Sequence, residues 1–447
     1  MTKIFIFSIL PSIFFSYKVV DKARLSLYYY DRRKISSVNR VFLRLTIKKG
    51  GVFVKIAGII AEYNPFHNGH RVHIEKTRAA GFTHIAVVMS GPFVQRGEPA
   101  ILDKWTRART AVEHGADLVI ELPAVYALSS ASDFARGAVL LLREAGAETL
   151  SFGSECGDTS LLADQASRLS AVEASDAMRS FLKKGMSFPR ARQTAWEAVY
   201  GKSPVFTNPN DLLAVEYIRA ARETAPEMTF LAVKRTGAAH DGKSPEGMFA
   251  SASFLRAQID EPYRCAPYMP SKSYRAMSRL LLENAAPVRM TEIERHVLYV
   301  LRNMQTEDFA RLPDVGEGLE NRLYRAARTA GSLADFYEFA KTKRYPHARL
   351  RRIACCAALG IQAGDKRKEP SYLRVLALNG RGAEILSACK KKTALPVGVN
   401  FADLYRMHPD GIETDLRAQE LFALAQPEIQ PCGRDFTEQV RLQNETS

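Results

Sequence analysis

The sequence predicts an α/β protein with a doubly wound parallel sheet, followed by a mainly α-helical region. From residue 54 to about residue 232, short apolar runs alternate with amphipathic stretches of helical periodicity. Short, continuously apolar strands separated by helices are typical of a parallel sheet with helices on both faces. In such a sheet, ligands bind at the carboxyl ends of the strands. After about residue 262, apolar positions recur at helical spacing.

Each apolar run has the length and composition of a buried strand. The predicted strands are residues 54–61, 84–89, 116–122, 148–153 and 229–233. The predicted helices between them are residues 69–80, 103–114, 131–145, 158–184 and 210–224. A further strand-like run at 373–379 lies in a short α/β-like tail. We therefore predict one domain at 54–261 and a second, mainly helical domain at 262–447.

The first 53 residues differ in composition from the rest of the chain. The chain has 447 residues and a net charge of +15. Residues 1–53 hold eleven Lys or Arg and two acidic residues, a net charge of +9. The segment "KKGGV" at 48–52 can be encoded by a purine-rich stretch resembling a ribosome-binding site. We therefore hypothesise that the physiological chain begins near Val54.

Cysteine usage and hydropathy indicate a cytoplasmic protein. The six cysteines show no CxxC or Cys/His metal spacing, and the adjacent pair Cys355 and Cys356 does not suit a disulfide framework. The apolar run at 4–15 contains Pro11 and is too short to span a bilayer. We expect no membrane association, no protein-held metal site and no stable protein partner.

The stretch "EYNPFHNGH", residues 62–70, carries the main functional signal. It lies between the first predicted strand and the first predicted helix, where unpaired N–H groups and the helix dipole bind anions. The dinucleotide pattern GxGxxG is absent, and His67 and His70 stand there instead. Two imidazoles at a helix start can stabilise charge on an α-phosphate as pyrophosphate leaves, and Gly69 leaves room for a nucleotide. The alternative is that both are incidental turn residues, since HxxH is a short pattern.

The segment "GIIAEYNPFHNGH" resembles the HxGH signature of the adenylyl-transferring nucleotidyltransferase superfamily. Longer blocks, including "VVMSGPFVQRGEPAILDKWTRARTA", "SPVFTNPNDLLAVEY" and "FASASFLR", resemble the bacterial tRNA(Met) cytidine acetate ligase family from about residue 56 to 425. The resemblance implies a Rossmann-like nucleotidyltransferase fold. It also implies an enzyme that activates acetate with ATP and Mg²⁺, releases pyrophosphate, and transfers acetyl to N4 of the wobble cytidine of elongator tRNA(Met).

Two other functions stay open. One is an adenylyltransferase acting on a small phosphorylated or nicotinamide metabolite. The other is a non-catalytic RNA-binding protein with a nucleotide fold. A helical domain of about 180 residues with a basic stretch is unusual for the first of these.

The resemblance assigns catalytic roles at the phosphates to His67 and His70, within a segment that wraps ATP. The residues of this segment are Ile60, Ala61, Glu62, Tyr63, Asn64, Pro65, Phe66, His67, Asn68, Gly69, His70, Arg71, Val72 and His73. Further ATP-binding positions carried over by the resemblance are Gly153, Asn210, Arg235, Ser251, Ser253 and Arg256. All of these except Arg256 have a local alternative: a turn glycine, an N-cap at Asn208 or Asn210, a rim salt bridge, or serine caps.

Two more segments contain possible ligand-binding residues. The Gly- and Pro-rich block after the second strand is long enough to close over an acyl site, with Gln95, Arg96, Asp103 and Lys104 as polar candidates. The stretch "GAAHDGKS" at 237–244 satisfies the P-loop pattern. Pro245 and Gly247 follow it where a P-loop helix would begin, so we discount it.

Residues 341–352, "KTKRYPHARLRR", are the predicted tRNA-binding stretch. Charge of this density can follow a phosphate backbone, and Tyr345 could stack on a base. A solvated helix end is the alternative. The family often has a His in the segment occupied here by "CCAAL", so Cys355 and Cys356 depart from its pattern. The predicted RNA contacts are Lys341, Lys343, Arg344, Arg349, Arg351 and Arg352.

Overall fold

The computed structural model describes residues 54–235, 244–316, 318–440 and 442–443. The basic leader, with the hypothesis about its translation start, lies outside the described residues. So does the P-loop-like motif apart from Ser244.

A single mixed sheet forms the centre of the molecule. The strands are β1 Ile56–Ala61, β2 His84–Ser90, β3 Phe93–Val94, β4 Glu98–Pro99, β5 Leu118–Leu122, β6 Thr149–Ser154, β7 Thr229–Lys234, β8 Leu373–Asn379, β9 Val397–Gly398 and β10 Leu442–Gln443. The strand order in the sheet is β10-β8-β5-β2-β1-β6-β7, with β9 beside β8, and a separate two-stranded hairpin pairs β3 with β4. All five strands predicted before residue 234 are confirmed, and they pair in parallel.

The helices flank this sheet and then continue as a bundle. Those up to β7 are α1 Asn68–Ala79, α2 Lys104–Glu113, α3 Ala124–Ala127, α4 Ala131–Glu144, α5 Thr159–Glu173, α6 Asp176–Lys183, α7 Phe188–Tyr200 and α8 Pro209–Thr224. Those up to β8 are α9 Ala252–Ala257, α10 Ser271–Leu282, α11 Glu294–Asn303, α12 Thr306–Ala310, α13 Leu319–Thr329, α14 Leu333–Ala340 and α15 His347–Leu359. The last are α16 Gly380–Cys389, α17 Phe401–Arg406, α18 Ile412–Leu424 and α19 Arg434–Thr437. Short 3₁₀ helices lie at Pro204–Thr207, Pro262–Tyr268, Met290–Ile293 and Asp365–Arg367.

The central strands are buried because helices cover both faces of the sheet. On one face, Val87 and Val119 pack with Trp105 of α2. On the other, Val88 and Leu142 of α4 belong to the large core cluster. Residues on adjacent strand positions thus point into different cores, which is why these strands are apolar throughout.

The predicted helix at 158–184 is divided into α5 and α6. The Ser175 hydroxyl accepts a hydrogen bond from the N–H of Met178 at 3.1 Å and starts a second helix there. Apolar residues continue at helical spacing on both sides of this break, so the periodicity did not predict it.

The C-terminal tail completes the sheet of the N-terminal half. β8 pairs antiparallel with β5, and the N–H of Asn379 donates to the carbonyl of Asp117 at 3.0 Å. Residues 54–447 form one compact unit. The longest strand of the predicted tail is therefore part of the α/β layer, and the division into domains at 54–261 and 262–447 stays a prediction.

Two expectations about composition can be compared with the described residues. All six cysteines are present as thiols without a disulfide. Within the described ranges, no helix is both long enough and apolar enough to cross a membrane.

Candidate active site

The turn between β1 and α1 brings the two predicted histidines together. His67 is the N-cap of α1, and its Nδ1 accepts the N–H of Gly69 at 3.1 Å. His70, three residues later, accepts the N–H of His67 at its own Nδ1, at 3.3 Å. This is a reciprocal capping box made by two imidazoles. The two rings stack, with centroids 3.7 Å apart.

The capping box also fixes which ring nitrogens carry protons. A neutral imidazole that accepts at Nδ1 holds its proton on Nε2. Burial lowers the pKa of His70 well below its usual value, and the nearby His67, Arg235 and His73 lower it further. His70 is therefore neutral near pH 7, with Nε2 as a hydrogen-bond donor at the start of a helix. Such a group can bind phosphate oxygens without a permanent charge of its own.

Gly69 leaves room for the His67 ring. A Cβ at this position would lie 3.0 Å from Cε1 and 3.1 Å from Nδ1 of His67. The sequence predicts that the missing side chain at Gly69 leaves room for a nucleotide. In the structure, the atoms nearest to that space belong to the His67 ring.

Several other residues of the predicted ATP segment hold neighbouring loops in place. The Asn68 amide donates to the carbonyls of Met248 at 2.9 Å and Pro267 at 3.2 Å. The Glu62 carboxylate accepts the N–H of Gln95 at 2.8 Å. The predicted ATP segment thus forms one turn, and the side chains of Asn68 and Glu62 hold neighbouring loops against it.

His73 lies one turn further along α1 and contacts the neighbouring strand. Its Nε2 lies 3.0 Å from the Ser151 hydroxyl, which lies 2.7 Å from the hydroxyl of Thr77. Burial, with Arg235 and Lys76 nearby, lowers the pKa of His73 to about 4. Through these contacts the His73 side chain joins α1 to β6 next to the turn.

The carboxyl ends of β6 and β7 form the second side of the site. Gly153 has a negative φ, and a Cβ added there would meet only the Arg235 side chain, at 3.6 and 3.9 Å. Neither the backbone nor the packing therefore requires glycine at this position. The N–H of Arg235 donates to the Ser154 carbonyl at 2.9 Å, which holds the residue at the end of β7.

Glu155 connects the predicted nucleotide-binding residues and was missed by the sequence reasoning. Its carboxylate accepts from the Asn210 amide, accepts the N–H of Asp211 at 3.0 Å, and lies 4.0 Å from Nε of Arg235. Burial lowers the pKa of Arg235, and Glu155 opposes that effect. An acidic residue at a strand end beside a predicted cation is the signal that could have identified it.

The alternative N-cap roles for the two asparagines of this segment are resolved in part. Asn208 occupies the N-cap of α8, but its amide donates to the Asp211 carboxylate at 2.9 Å and does not cap the helix. Asp211 also accepts the N–H of Glu155 at 2.9 Å. The end of β6 and the start of α8 are therefore joined by reciprocal carboxylate contacts.

The "FASASFLR" motif reaches the histidine turn. Ser251 is the N-cap of α9 and accepts the N–H of Phe254 at 3.0 Å. Arg256 donates from Nη1 to the Asn64 carbonyl at 2.8 Å and from Nη2 to the Ser253 hydroxyl at 3.2 Å. The structure thus places Arg256 against the loop that leads into His67.

The long block after β2 is held to the site by a buried arginine. Arg107 donates from Nη1 to the carbonyls of Glu62 at 2.7 Å and Ser90 at 3.0 Å, and from Nη2 to that of Gly91. Burial lowers the pKa of Arg107 to about 10, which leaves it charged near neutral pH. Sequence reasoning did not select this residue, because these three partners are carbonyls 16 to 45 positions away.

Two polar candidates in this block have structural partners. The Lys104 ammonium is completely buried between Glu121 at 2.9 Å and Asp435 at 2.9 Å. Asp103 is the N-cap of α2 and accepts the N–H of Thr106 at 2.9 Å. These contacts account for both residues without an acyl ligand.

All four arginines of the predicted tRNA-binding stretch contact the protein itself. Arg344 donates to the Leu182 carbonyl at 2.8 Å, and Arg349 donates to the Asp314 carbonyl at 2.6 Å. The remaining contacts are Arg351 with Glu98, Arg352 with Asp314 at 3.7 Å, and Lys341 with Glu338 at 3.5 Å.

The burial of Tyr345, Cys355 and Cys356 bears on two further expectations about this region. Tyr345 is 7% exposed, so little of its ring is available to stack on an RNA base. Cys355 and Cys356 are buried, and burial raises the pKa of both thiols. They serve as packing residues in α15. Lys343 remains exposed.

The chain matches the family described as HIGH Nucleotidyl Transferase over residues 54–435. It is 37% identical over 395 residues to a tRNA(Met) cytidine acetate ligase of Caldanaerobacter subterraneus subsp. tengcongensis, which covers 85% of this chain and 97% of the relative. It is 38% identical over 384 residues to a protein of the same name from Caldicellulosiruptor saccharolyticus, covering 83% of this chain and 94% of the relative.

Solved structures show the same similarity. The apo crystal structure of Thermotoga maritima TmcAL superposes with a TM-score of 0.80 at 34% identity, covering 88% of this chain and all of that one. The same protein bound with alpha-thio ATP superposes with a TM-score of 0.79 at 33% identity and the same coverage.

Proposed function

The chain belongs to the HIGH nucleotidyltransferase family and, within it, to the tRNA(Met) cytidine acetate ligases, and on this basis we propose how it works. It is an ATP-dependent ligase that acetylates N4 of the wobble cytidine of elongator tRNA(Met). The observation that carries the proposal is the imidazole capping box at the first βα turn, which presents neutral donors where a triphosphate would bind.

In the first step, a carboxylate oxygen of acetate attacks the α-phosphorus of ATP. A new P–O bond forms as the bond to the bridging oxygen breaks, and pyrophosphate leaves with that electron pair. His67 and His70 stabilise the negative charge that develops on the phosphate oxygens. Arg256 and the serines of its motif hold the outer phosphates, Arg235 lies at the phosphate edge, and Gly153 and Asn210 contact the nucleoside side.

In the second step, the N4 amine of the cytidine attacks the carbonyl carbon of acetyl-adenylate. The C–N bond forms, the C–O bond to AMP breaks, and the amine loses a proton. Because AMP is a good leaving group, positioning the amine against the carbonyl can supply much of the rate.

We propose that Mg²⁺ enters with the phosphates of ATP. Mg²⁺ usually keeps several waters and binds substrate phosphates with one or two carboxylates. Among the described residues, no group of three or more His, Cys, Asp or Glu is arranged to hold a metal ion. The metal would screen phosphate charge during displacement. A tRNA substrate and six free thiols fit a cytoplasmic site of action.

The direct test is incubation of the full chain with ATP, labelled acetate and total tRNA, followed by nucleoside analysis. We expect label in a cytidine and pyrophosphate release that depends on acetate. Label in any other nucleoside would overturn the substrate assignment. Absence of both ATP consumption and product would indicate the non-catalytic RNA-binding alternative.

A further inference from the structure

An open cleft lies in the helical region between α13 and the segment that joins α14 to α15. Its volume is about 420 Å³, within the range of roughly 300–1,000 Å³ common for small-ligand pockets. It shares no residue with the candidate active site. Its lining includes Asn321, Arg322, Arg325, Phe339, Thr342 and Tyr345.

The charge of the cleft favours an anionic ligand. Its described lining contains two arginines and no acidic residue. Arg322 is held in place, because its Nε donates to the Ala340 carbonyl at 2.9 Å. Arg325 is exposed and forms no ion pair with any described residue. Arg322 and Arg325 are three positions apart on α13 and so lie on the same side of the helix, a spacing that suits a phosphate.

An aromatic side chain lies beside these cations. Phe339 is 46% exposed, so part of its ring is open to solvent at the cleft. Tyr345 forms a buried part of the lining, with the guanidinium of Arg349 at 5.0 Å from its ring centroid. An exposed ring next to guanidinium groups is suited to an unstacked base with its phosphate.

The cleft is connected to the active-site loop through α15. Thr342 and Tyr345 immediately precede this helix. A Cβ at Gly97, in the β3–β4 hairpin, would lie 2.4 Å from the backbone nitrogen of Arg352, and the Cys355 thiol donates to the Gly97 carbonyl at 3.3 Å. The same hairpin reaches Glu62 through the N–H of Gln95. An RNA strand held in the cleft would therefore lie beside the helix that supports the loop after β2.

We propose that this cleft binds a single-stranded nucleotide of the tRNA substrate other than the one that is acetylated. Arg322 and Arg325 contact its phosphate, and Phe339 stacks on its base. The inference rests on the proposed function and deepens it, because it gives the tRNA a contact surface separate from the adenylation site.

The test compares Phe339→Ala and Arg325→Ala with wild type in the full chain, by tRNA affinity at several salt concentrations. Loss of stacking should weaken binding about ten-fold. Loss of one phosphate contact should lower the slope of log K against log salt by about one. Matched controls outside the cleft are Phe188→Ala, whose ring is 47% exposed, and Arg179→Ala, whose side chain is 59% exposed.

Acetate-dependent pyrophosphate release, measured without RNA, separates this inference from the proposed function. Absence of release in the wild-type protein would overturn the proposed function itself. Normal release with weakened tRNA binding in the two cleft variants alone would support the cleft. Unchanged affinity and salt slope in both variants, or equal losses in the two controls, would overturn it.

Discussion

The side chains of the histidine turn and those of the basic stretch at 341–352 make opposite kinds of hydrogen bond with the backbone. At the turn, His67 and His70 accept backbone N–H groups at Nδ1, and this orients the rings at the end of β1. In the basic stretch, Arg344 and Arg349 donate to carbonyls of the protein. In one region backbone N–H groups position the side chains, and in the other the side chains support the backbone.

The difference shows that charge density along a chain does not by itself identify a binding surface. A guanidinium group has five donors, and buried carbonyls of neighbouring loops use them readily. The turn after a parallel strand has a fixed location in the fold, so the place of its side chains follows from their position in the sequence.

The largest effect should come from His70. Replacing it by Ala removes a donor at the phosphate position, and we expect acetate-dependent pyrophosphate formation to fall on the order of 10²–10³-fold. The affinity for tRNA should be unchanged, because the proposed RNA contacts lie elsewhere.

The control for this prediction is His70→Gln. Glutamine at this helix position can keep the capping-box acceptor while removing the imidazole. We expect it to restore thermal stability, which the alanine variant should lose by about 1 kcal/mol. Recovery of pyrophosphate formation along with the stability would mean that only the cap matters.

The next largest effect concerns Gly153. A methyl group there meets only Arg235 at ordinary contact distances, so the fold should tolerate Gly153→Ala. If a nucleotide packs against this position, the added group should weaken ATP binding by about 1–3 kcal/mol, or roughly five- to 150-fold.

The matched control is Gly364→Ala, where an added Cβ would have no neighbour within 4 Å. Equilibrium ATP binding and thermal unfolding of both variants provide the measurement. Equal ATP affinity in the two variants would remove Gly153 from the nucleotide site.

A smaller effect is expected for Glu155, which positions Asn210 and Arg235 but is not itself placed on the nucleotide. Glu155→Ala should raise the KM for ATP about ten-fold, corresponding to about 1.4 kcal/mol, with less change in kcat. Glu155→Gln keeps one acceptor oxygen for the Asn210 amide and should recover part of the loss. A variant whose kcat falls while KM stays constant would contradict a positioning role.

The features that could be predicted from the sequence are those determined by residues close together in the chain. The five parallel strands were predicted because helices on both faces make each one apolar throughout, and His67 and His70 were found because they are three residues apart. Glu155 was missed because the residues it holds, Asn210 and Arg235, are more than 50 positions away. The pairing of β8 with β5 likewise joins segments about 250 residues apart.

The smallest effects should distinguish two residues of the basic stretch. Lys343 is exposed and forms no ion pair with any described residue, so Lys343→Ala should lower the salt slope of tRNA binding by about one and leave stability unchanged. Arg349→Ala removes the same charge but also the hydrogen bonds to the Asp314 carbonyl, and should cost about 1–2 kcal/mol of unfolding free energy. Chemical denaturation and tRNA titration of both variants give the comparison. If Arg349→Ala weakened RNA binding more than Lys343→Ala without loss of stability, the arginine would be an RNA contact, and the contrast between the two regions would disappear.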